Sequence, residues 1–316
     1  MENKSKKSCF VIPLILGIIV ALGIFAYYML FHSNFSKFAK FLPGSGSVCG
    51  TGDNTTILLV GIDYRAGDYL YGLADVIRIA EVDFSDQKVD MVPLPRDLLV
   101  NIPADQFNVQ GPMKINQAYF FGTPGMQAYR DGGTGADSLN AVIEYNFGVS
   151  ADHYVVINFQ TFVSFVDTIG GIDVNLPEPV FGGKQGDFLA GEQTLSGERA
   201  LALARIRENY SDEFRVRNQS LIIDAIFEKM LQPAMLLRYP LLAGQFKDTI
   251  LTDLPLDQLG TLGLCSQGFS RENIQTHQIP SDLLYGEQAF IPSLNEYSFV
   301  YRWDSRLVEW IQNSLQ

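Results

Sequence analysis

HYVVINFQTFVSFVDTIGGIDVNLP, residues 153–177, holds a strand, a helix, a Gly170-Gly171 stop and a second short strand in immediate succession. Its β-branched run gives way to apolar residues three and four apart, so the period changes from two to 3.6 without a linker. A strand that feeds a helix that feeds a strand is the repeating unit of an α/β fold.

The flanking sequence repeats this alternation. TTILLVGID (55–63) is a short apolar run ending in glycine and reads as a buried strand, and VIRIAEVDFSDQKVDMVPLPRD (76–97) reads as two strands joined by a polar turn at Ser85 to Gln87. A helix is expected over Gly135 to Phe147, after the loop YRDGGTG. LSGERALALARIR (195–207) opens with Ser196 three residues before Arg199, a helix start, and RVRNQSLIIDAIFEKML (215–231) has the period of an amphipathic helix. Strands and helices alternate throughout, so helices should cover a central sheet. No internal repeat or low-complexity stretch is present.

The N-terminal end sets an expectation for the compartment. Cys9 to Phe31 is free of charge, and as a helix it would span roughly 34 Å, enough for a bilayer core. Lys4, Lys6 and Lys7 precede it, so residues 1–8 are expected in the cytoplasm, 9–31 in the membrane as a single pass, 32–52 as a Gly- and Ser-containing linker, and 53–316 as one extracellular domain. A cleaved signal peptide would have a shorter apolar core and a small-residue cleavage site. The formal net charge is -12, and removing residues 1–31, with three Lys and one Glu, leaves -14 outside. That balance excludes nucleic acid as a partner and requires any anionic ligand to be held by a local basic site. Cys49 and Cys265 lie in the exterior part, where disulfides persist, but their spacing does not decide between a bridge and two thiols. With His32, His153 and His277 the only histidines, and neither CxxC nor HExxH, a zinc site is not expected.

The chain has no GxSxG, no P-loop and no Rossmann glycine motif, so chemistry must come from charges at the ends of elements. Asp63 and Arg65 close the first strand, Asp75 opens the second, Arg96 and Asp97 close the third, and Lys114 follows in MKINQAYFFG. Charges at the mouths of apolar strands gather at the sheet edge, because an unpaired buried charge costs several kcal/mol. ARIRENYSDEFRVRNQ (204–219) then collects Arg205, Arg207, Arg215 and Arg217, four of the chain's thirteen arginines. Arg205-Ile206-Arg207 suits an extended segment with both guanidiniums on one side, and Arg215 and Gln219 share a helix face. Guanidinium forks, an amide and a helix start suit phosphate or pyrophosphate; ion pairing with Glu208, Asp212 and Glu213 on a solvated loop is the competing reading.

From the apolar anchor through ILLVGIDYR, ADVIRIAEVD, PLPRD, KINQAYFFG, VVINFQTFVSFVDTIGGIDVNLP, LSGERALALARIR and RVRNQ, the sequence resembles the LytR-CpsA-Psr family of bacterial cell-wall enzymes over about residues 55–230. The resemblance implies a mixed β-sheet sandwiched by helices, and an Mg2+-dependent phosphotransferase that moves a glycopolymer from a polyprenyl-pyrophosphate carrier to a peptidoglycan hydroxyl at the membrane. It implies that Asp63 and Asp75 hold the metal and that Arg96, Arg205, Arg207, Arg215 and Gln219 clamp the pyrophosphate, with Arg65 and Lys114 as further anion contacts. Where that family usually has an arginine two residues before the second aspartate, this chain has Leu73, and Asn218 stands where many members have arginine.

Elementary chemistry fits these implications. Mg2+ takes one or two carboxylates plus phosphate oxygens, metal and arginines neutralise charge in phosphoryl transfer, and Asp75 or Asp97 could take the hydroxyl proton. For a lipid, apolar walls are available from Phe159, Phe162, Phe165 and Val166 and from Tyr119, Phe120 and Phe121, although such stripes are more often plain core. A non-catalytic polyprenyl-phosphate binder and a phosphohydrolase of the same lipid-linked substrate would use the same residues.

Overall fold

Strand β1 (Asn54–Ile62) sends Leu58, Val60 and Ile62 into one core and leaves Leu59 and Gly61 on the opposite face. It is held from both sides: β2 (Ala74–Asp83) runs antiparallel to it from Asn54↔Asp83 to Ile62↔Ala74, and β6 (His153–Asn158) runs parallel from Ile57↔His153 to Ile62↔Asn158. In this computed structural model, which describes residues 54–64, 69–206, 212–236, 238–255 and 269–315, these three strands are the middle of a mixed six-stranded sheet. β3 (Lys88–Pro93) pairs antiparallel with β2, β10 (Ile274–Thr276) runs parallel to β3, and β9 (Leu251–Thr252) closes the other edge antiparallel to β6. The order is therefore β10-β3-β2-β1-β6-β9.

Helices cover both faces, as alternation along the chain requires. Against Leu58, Ile77, Ile79 and Val92 pack α1 (Ile115–Gly122), α2 (Gly135–Phe147) and α8 (Ser305–Ser314), through Ile115, Leu139, Ile143, Leu307 and Ile311. The other face carries α3 (Phe159–Thr168), α4 (Gly197–Ala204) and α5 (Asp212–Met230), followed by the short α6 (Pro233–Leu236) and α7 (Tyr239–Phe246). The described residues also form three two-stranded ribbons: β4 (Leu99–Val100) with β5 (Met113–Lys114), β7 (Ile172–Leu176) with β8 (Gly191–Leu195), and β11 (Tyr285–Ile291) with β12 (Glu296–Arg302).

Local chemistry explains the boundaries. Thr134 caps α2, accepting from Asp137 N while the Asp137 carboxylate accepts from Thr134 N at 2.6 Å, so the helix runs over Gly135–Phe147 as the sequence indicates. Ser196 caps α4, and Gly197 is required where α4 crosses α3, since a Cβ there would stand 2.2 Å from Val163 O. α5 starts at Asp212, ahead of the 215 suggested by the apolar period. One expectation is corrected: α4 ends at Ala204 and Arg205 is its C-cap with φ -105° and ψ -3°, so Arg205 is not in an extended segment. Last-turn geometry wins because Arg205 N and Ile206 N still donate to Ala202 O and Leu203 O, which buries Ile206. The proposed membrane span 9–31, the linker, Cys49 and Cys265 lie outside the described residues; among those described, no helix is long and apolar enough to cross a membrane.

Two glycine substitutions test the packing in opposite directions. Gly197→Ala should lower stability by about 1 to 3 kcal/mol through the α3–α4 clash, while Gly244→Ala in α7, where a Cβ meets nothing within 4 Å, should be neutral or stabilising by up to about 1 kcal/mol. Denaturant unfolding of the two variants beside the parent measures both.

Candidate functional site

Between the second face of the sheet and the helices α3, α4 and α5 lies a cavity of about 570 Å3. Its floor is apolar because the residues that alternate away from the first core face it: Leu59 and Gly61 of β1, Val76 of β2, Val155 and Ile157 of β6. Gly61 lies close against Val76 across the strands, where a Cβ would stand 3.1 Å from the Val76 side chain. Phe159 and Phe162 of α3, Leu201 and Ala204 of α4, and Ile222, Ile223, Ile226 and Phe227 of α5 form the walls.

The charged lining is mostly basic. Arg96, Arg205 and Arg215 border the cavity, together with Gln219 and Asn158, and the only acid among the described lining residues is Asp75. Arg205 stacks 5.0 Å from the Phe159 ring centroid, and Gln219 donates to Ala204 O at 3.4 Å, which ties the start of α5 to the end of α4. The glycine-rich turn at Gly182 to Gln185 closes one side; Arg199 holds it by donating to Gln185 O and Asp187 O while lying 3.8 Å from the Phe188 ring.

Arg96 belongs to an alternating chain of charges. Its Nη1 lies 2.5 Å from Asp75 Oδ1, its Nε 3.4 Å from Asp97 Oδ2, and Lys114 Nζ reaches Asp97 Oδ1 at 2.8 Å. The loop that carries Arg96 and Asp97 is fixed by backbone bonds from Ile115 N to Leu98 O and Asn116 N to Arg96 O. The MKIN segment therefore sits beside the PRD segment because α1 begins against that loop. Asp63 is exposed at the end of β1 and its Oδ1 accepts from Leu73 N at 3.0 Å, while Asp63 N donates to Leu73 O. Asp63 and Asp75 thus flank the Ile62↔Ala74 pair on adjacent antiparallel strands.

The residues singled out in the sequence separate into groups. Asp75, Arg96, Arg205, Arg215 and Gln219 come together at the cavity; Asp97 and Lys114 stand behind Arg96 and do not line it; Arg65 and Arg207 lie outside the described residues. Arg217, in α5, is exposed and its guanidinium lies 3.9 Å from Glu178, which is not one of the acids of its own segment. Of the two aromatic groups offered as lipid walls, Phe159 and Phe162 line the cavity, Phe165 and Val166 pack into the neighbouring core, and Tyr119 is buried in the core on the far face of the sheet. Tyr119 is part of α1, which covers the face away from the cavity.

One charged residue near the site was not read from the sequence. Arg78, in the middle of β2, pairs with Leu59 across the sheet and shares the cavity-side face with Val76, yet it is 1% exposed. Its Nη2 donates to Val216 O at 3.4 Å in α5, and Ser220 Oγ donates to the same carbonyl. Nε and Nη1 have no hydrogen-bond partner among the described residues. Burial lowers its pKa to about 10, opposed by the charge of Asp224, whose carboxylate is itself engaged by Arg271 and Thr276. A lone arginine in the apolar run VIRIAEV was the available signal.

Comparison with known proteins agrees with this architecture. The LytR_cpsA_psr family model matches residues 35–312. The polyisoprenyl-teichoic acid–peptidoglycan teichoic acid transferase TagU of Oceanobacillus iheyensis is 31% identical over 229 residues, 72% of this chain and 67% of that protein. The TagU of Bacillus licheniformis is 29% identical over 296 residues, 89% of each. The crystal structure of TagV from B. subtilis superposes with a TM-score of 0.66 at 24% identity, covering 84% of this chain and 97% of that one, a likeness of fold.

Arg78 gives a test that separates charge from packing. A folded pKa below the ordinary 12.5 means that the unfolded chain binds the proton more tightly, so this group's contribution to stability rises with pH from about 10 upward. Arg78→Met removes the buried charge and should unfold at an equal or higher temperature than the parent near neutral pH. Thermal unfolding against pH should show that advantage shrinking once pH exceeds about 10.

Proposed function

The chain belongs to the LytR_cpsA_psr family, and from that premise we propose that it moves a glycopolymer from a polyprenyl-pyrophosphate carrier to a sugar hydroxyl of peptidoglycan. The observation that carries this reading is an apolar cavity bordered, among the described residues, by three arginines and one aspartate. An apolar volume suits a prenyl chain, and guanidinium forks at its border suit the phosphates that join the chain to its polymer. The curated relatives named as teichoic acid transferases support the same class of reaction.

In this reading Arg96, Arg205, Arg215 and Gln219 hold the pyrophosphate, and Arg65 and Arg207 are assigned the same role from their positions in the sequence. The acceptor oxygen attacks the phosphorus on the sugar side, the bond to the prenyl phosphate breaks, and the arginines balance the charge that moves onto that leaving group. Asp75, the acid at the cavity, takes the hydroxyl proton. Asp97 keeps Arg96 and Lys114 in place and does not contact substrate.

The donor set fits Mg2+. Asp63 and Asp75 stand on either side of one strand pair, and a hard cation that is completed by phosphate oxygens and water needs no more than two carboxylates from the protein. Asp63 and Asp75 would hold it, and when bound it would neutralise charge on the non-bridging oxygens. Residues 9–31 would anchor the chain in the membrane with the catalytic part outside, next to a lipid-borne substrate.

Three measurements on the full chain bear on this reading. Arg205→Ala and Arg215→Ala should each weaken polyprenyl phosphate binding by about 1.5 to 3 kcal/mol; a parent that binds no prenyl phosphate would refute the assignment. Transfer should stop with a chelator and with Asp75→Ala. Leu73→Arg should speed it: Leu73 holds Asp63 through backbone atoms alone, so the new guanidinium adds a phosphate contact without disturbing that bond.

A further inference from the structure

The ribbon of β11 and β12 has apolar residues on both faces. Ala289, Ile291 and Val300 face inward and form a small core with Leu99. On the outward face the pairs are Phe290↔Tyr297, Gln288↔Phe299 and Gly286↔Tyr301. Tyr297 is 73% exposed, Phe290 45% and Phe299 41%. Phe290 and Tyr297 contact edge to face at 5.6 Å and Phe299 and Tyr301 at 4.9 Å, and the Phe299 ring covers Gly286, where a Cβ would meet it at 3.0 Å. Tyr301 packs against the main core, but Phe290, Tyr297 and Phe299 are left in water, and an exposed aromatic group of this size marks a surface that binds something.

Its place in the fold narrows what that is. Tyr301 N donates to Asp97 O, Leu98 bridges to Tyr301, and Trp303 Nε1 donates to Leu99 O. Ser293 Oγ, in the turn between the strands, bonds Gln117 Oε1, which also accepts from Lys114 N. The ribbon is thus fastened to both segments that carry Arg96, Asp97 and Lys114. At about 3.3 Å per residue, Phe299 and Tyr297 lie roughly 7 and 13 Å along β12 from the Asp97 contact.

The reaction needs a second substrate in this neighbourhood, a glycan whose hydroxyl approaches Asp75 from outside a cavity filled by lipid. Sugar rings offer apolar C–H faces to the negative faces of aromatic rings and hydroxyls to polar neighbours such as Gln288. An anionic lipid surface is disfavoured by a chain of net charge -12. We infer that the outward face of β11 and β12 is the docking surface for the acceptor glycan, whose sugar rings stack on Tyr297, Phe290 and Phe299. This rests on the proposed transfer to peptidoglycan.

The test uses the full chain in detergent, sedimented with peptidoglycan sacculi stripped of attached polymer. The parent should co-sediment. Tyr297→Ala and Phe290→Ala should each reduce the retained fraction about fivefold, and Tyr297→Trp should retain it, because the stacking face is kept. All three should bind polyprenyl phosphate like the parent and unfold at the parent's temperature. Loss of prenyl phosphate binding in the parent would sink the catalytic reading without touching this result. Undiminished sedimentation of the alanine variants would overturn the docking surface. It would equally be overturned if the aromatic row instead governed binding to phosphatidylglycerol–phosphatidylethanolamine vesicles, or self-association of the chain, in the same variants.

Discussion

The double pairing of β1 is the constraint on which the site depends. Ile62 is at once opposite Ala74 of β2 and Asn158 of β6, so one register decides where Asp63, Asp75 and the start of α3 meet. The period of a strand is two, and a slip of one residue would turn Leu58, Val60 and Ile62 toward the cavity and Leu59 and Gly61 into a packed core. The irregularity between Gly61 and Ile62 is placed at the end of that ladder, where the chain leaves the sheet. Everything at the cavity mouth inherits its position from this register, including the Arg96 loop, which follows β3 at the next place in the sheet.

An acidic chain that handles an anion must isolate its cations from its own carboxylates. At the cavity this is done by position. Arg96 is shared with Asp75 and Asp97, whereas Arg205 is exposed with its guanidinium over the Phe159 ring and Arg217, on the same helix as Arg215, turns to solvent and Glu178. Alternation along Asp75, Arg96, Asp97 and Lys114 keeps each charge beside its opposite, so the loop is rigid without being strongly charged. Arg78 shows the cost of departing from that arrangement: its burial beside apolar neighbours lowers its proton affinity, and the carboxylate that offsets it belongs to a second ion pair.

Periodicity made the elements legible, and this explains where reading stopped. The strand at 55–63, the turn at 85–87 and the helix over Gly135–Phe147 were recognisable because alternation, caps and glycines act locally. Arg205 was assigned an extended backbone because Arg-Ile-Arg fits alternation, but the helix end that holds it depends on Ala202 and Leu203 carbonyls, which the spacing does not reveal. Tyr119 looked like a lipid contact because aromatic stripes are the same on either side of a sheet; only the sheet order shows that α1 is on the far face. Arg78 was passed over because an arginine in a strand ordinarily points to water, and its burial follows from α5 closing over β2.

The same helix gives the cavity a direction. Arg215, Gln219, Ile222 and Ile226 succeed one another at intervals of four, three and four, so they form one stripe along α5, and all of them line the cavity. The first two are polar and the rest, with Ile223 and Phe227 beside them, are apolar. At 1.5 Å per residue the polar part spans about 6 Å and the apolar part a further 10 Å or so. A ligand with a charged head and an apolar tail can satisfy that stripe in one orientation only, with its head beside Arg205 at the junction of α4 and α5 and its tail toward the C-terminal half of α5. The reverse orientation would bury phosphate oxygens among Ile222, Ile226 and Phe227, which costs several kcal/mol.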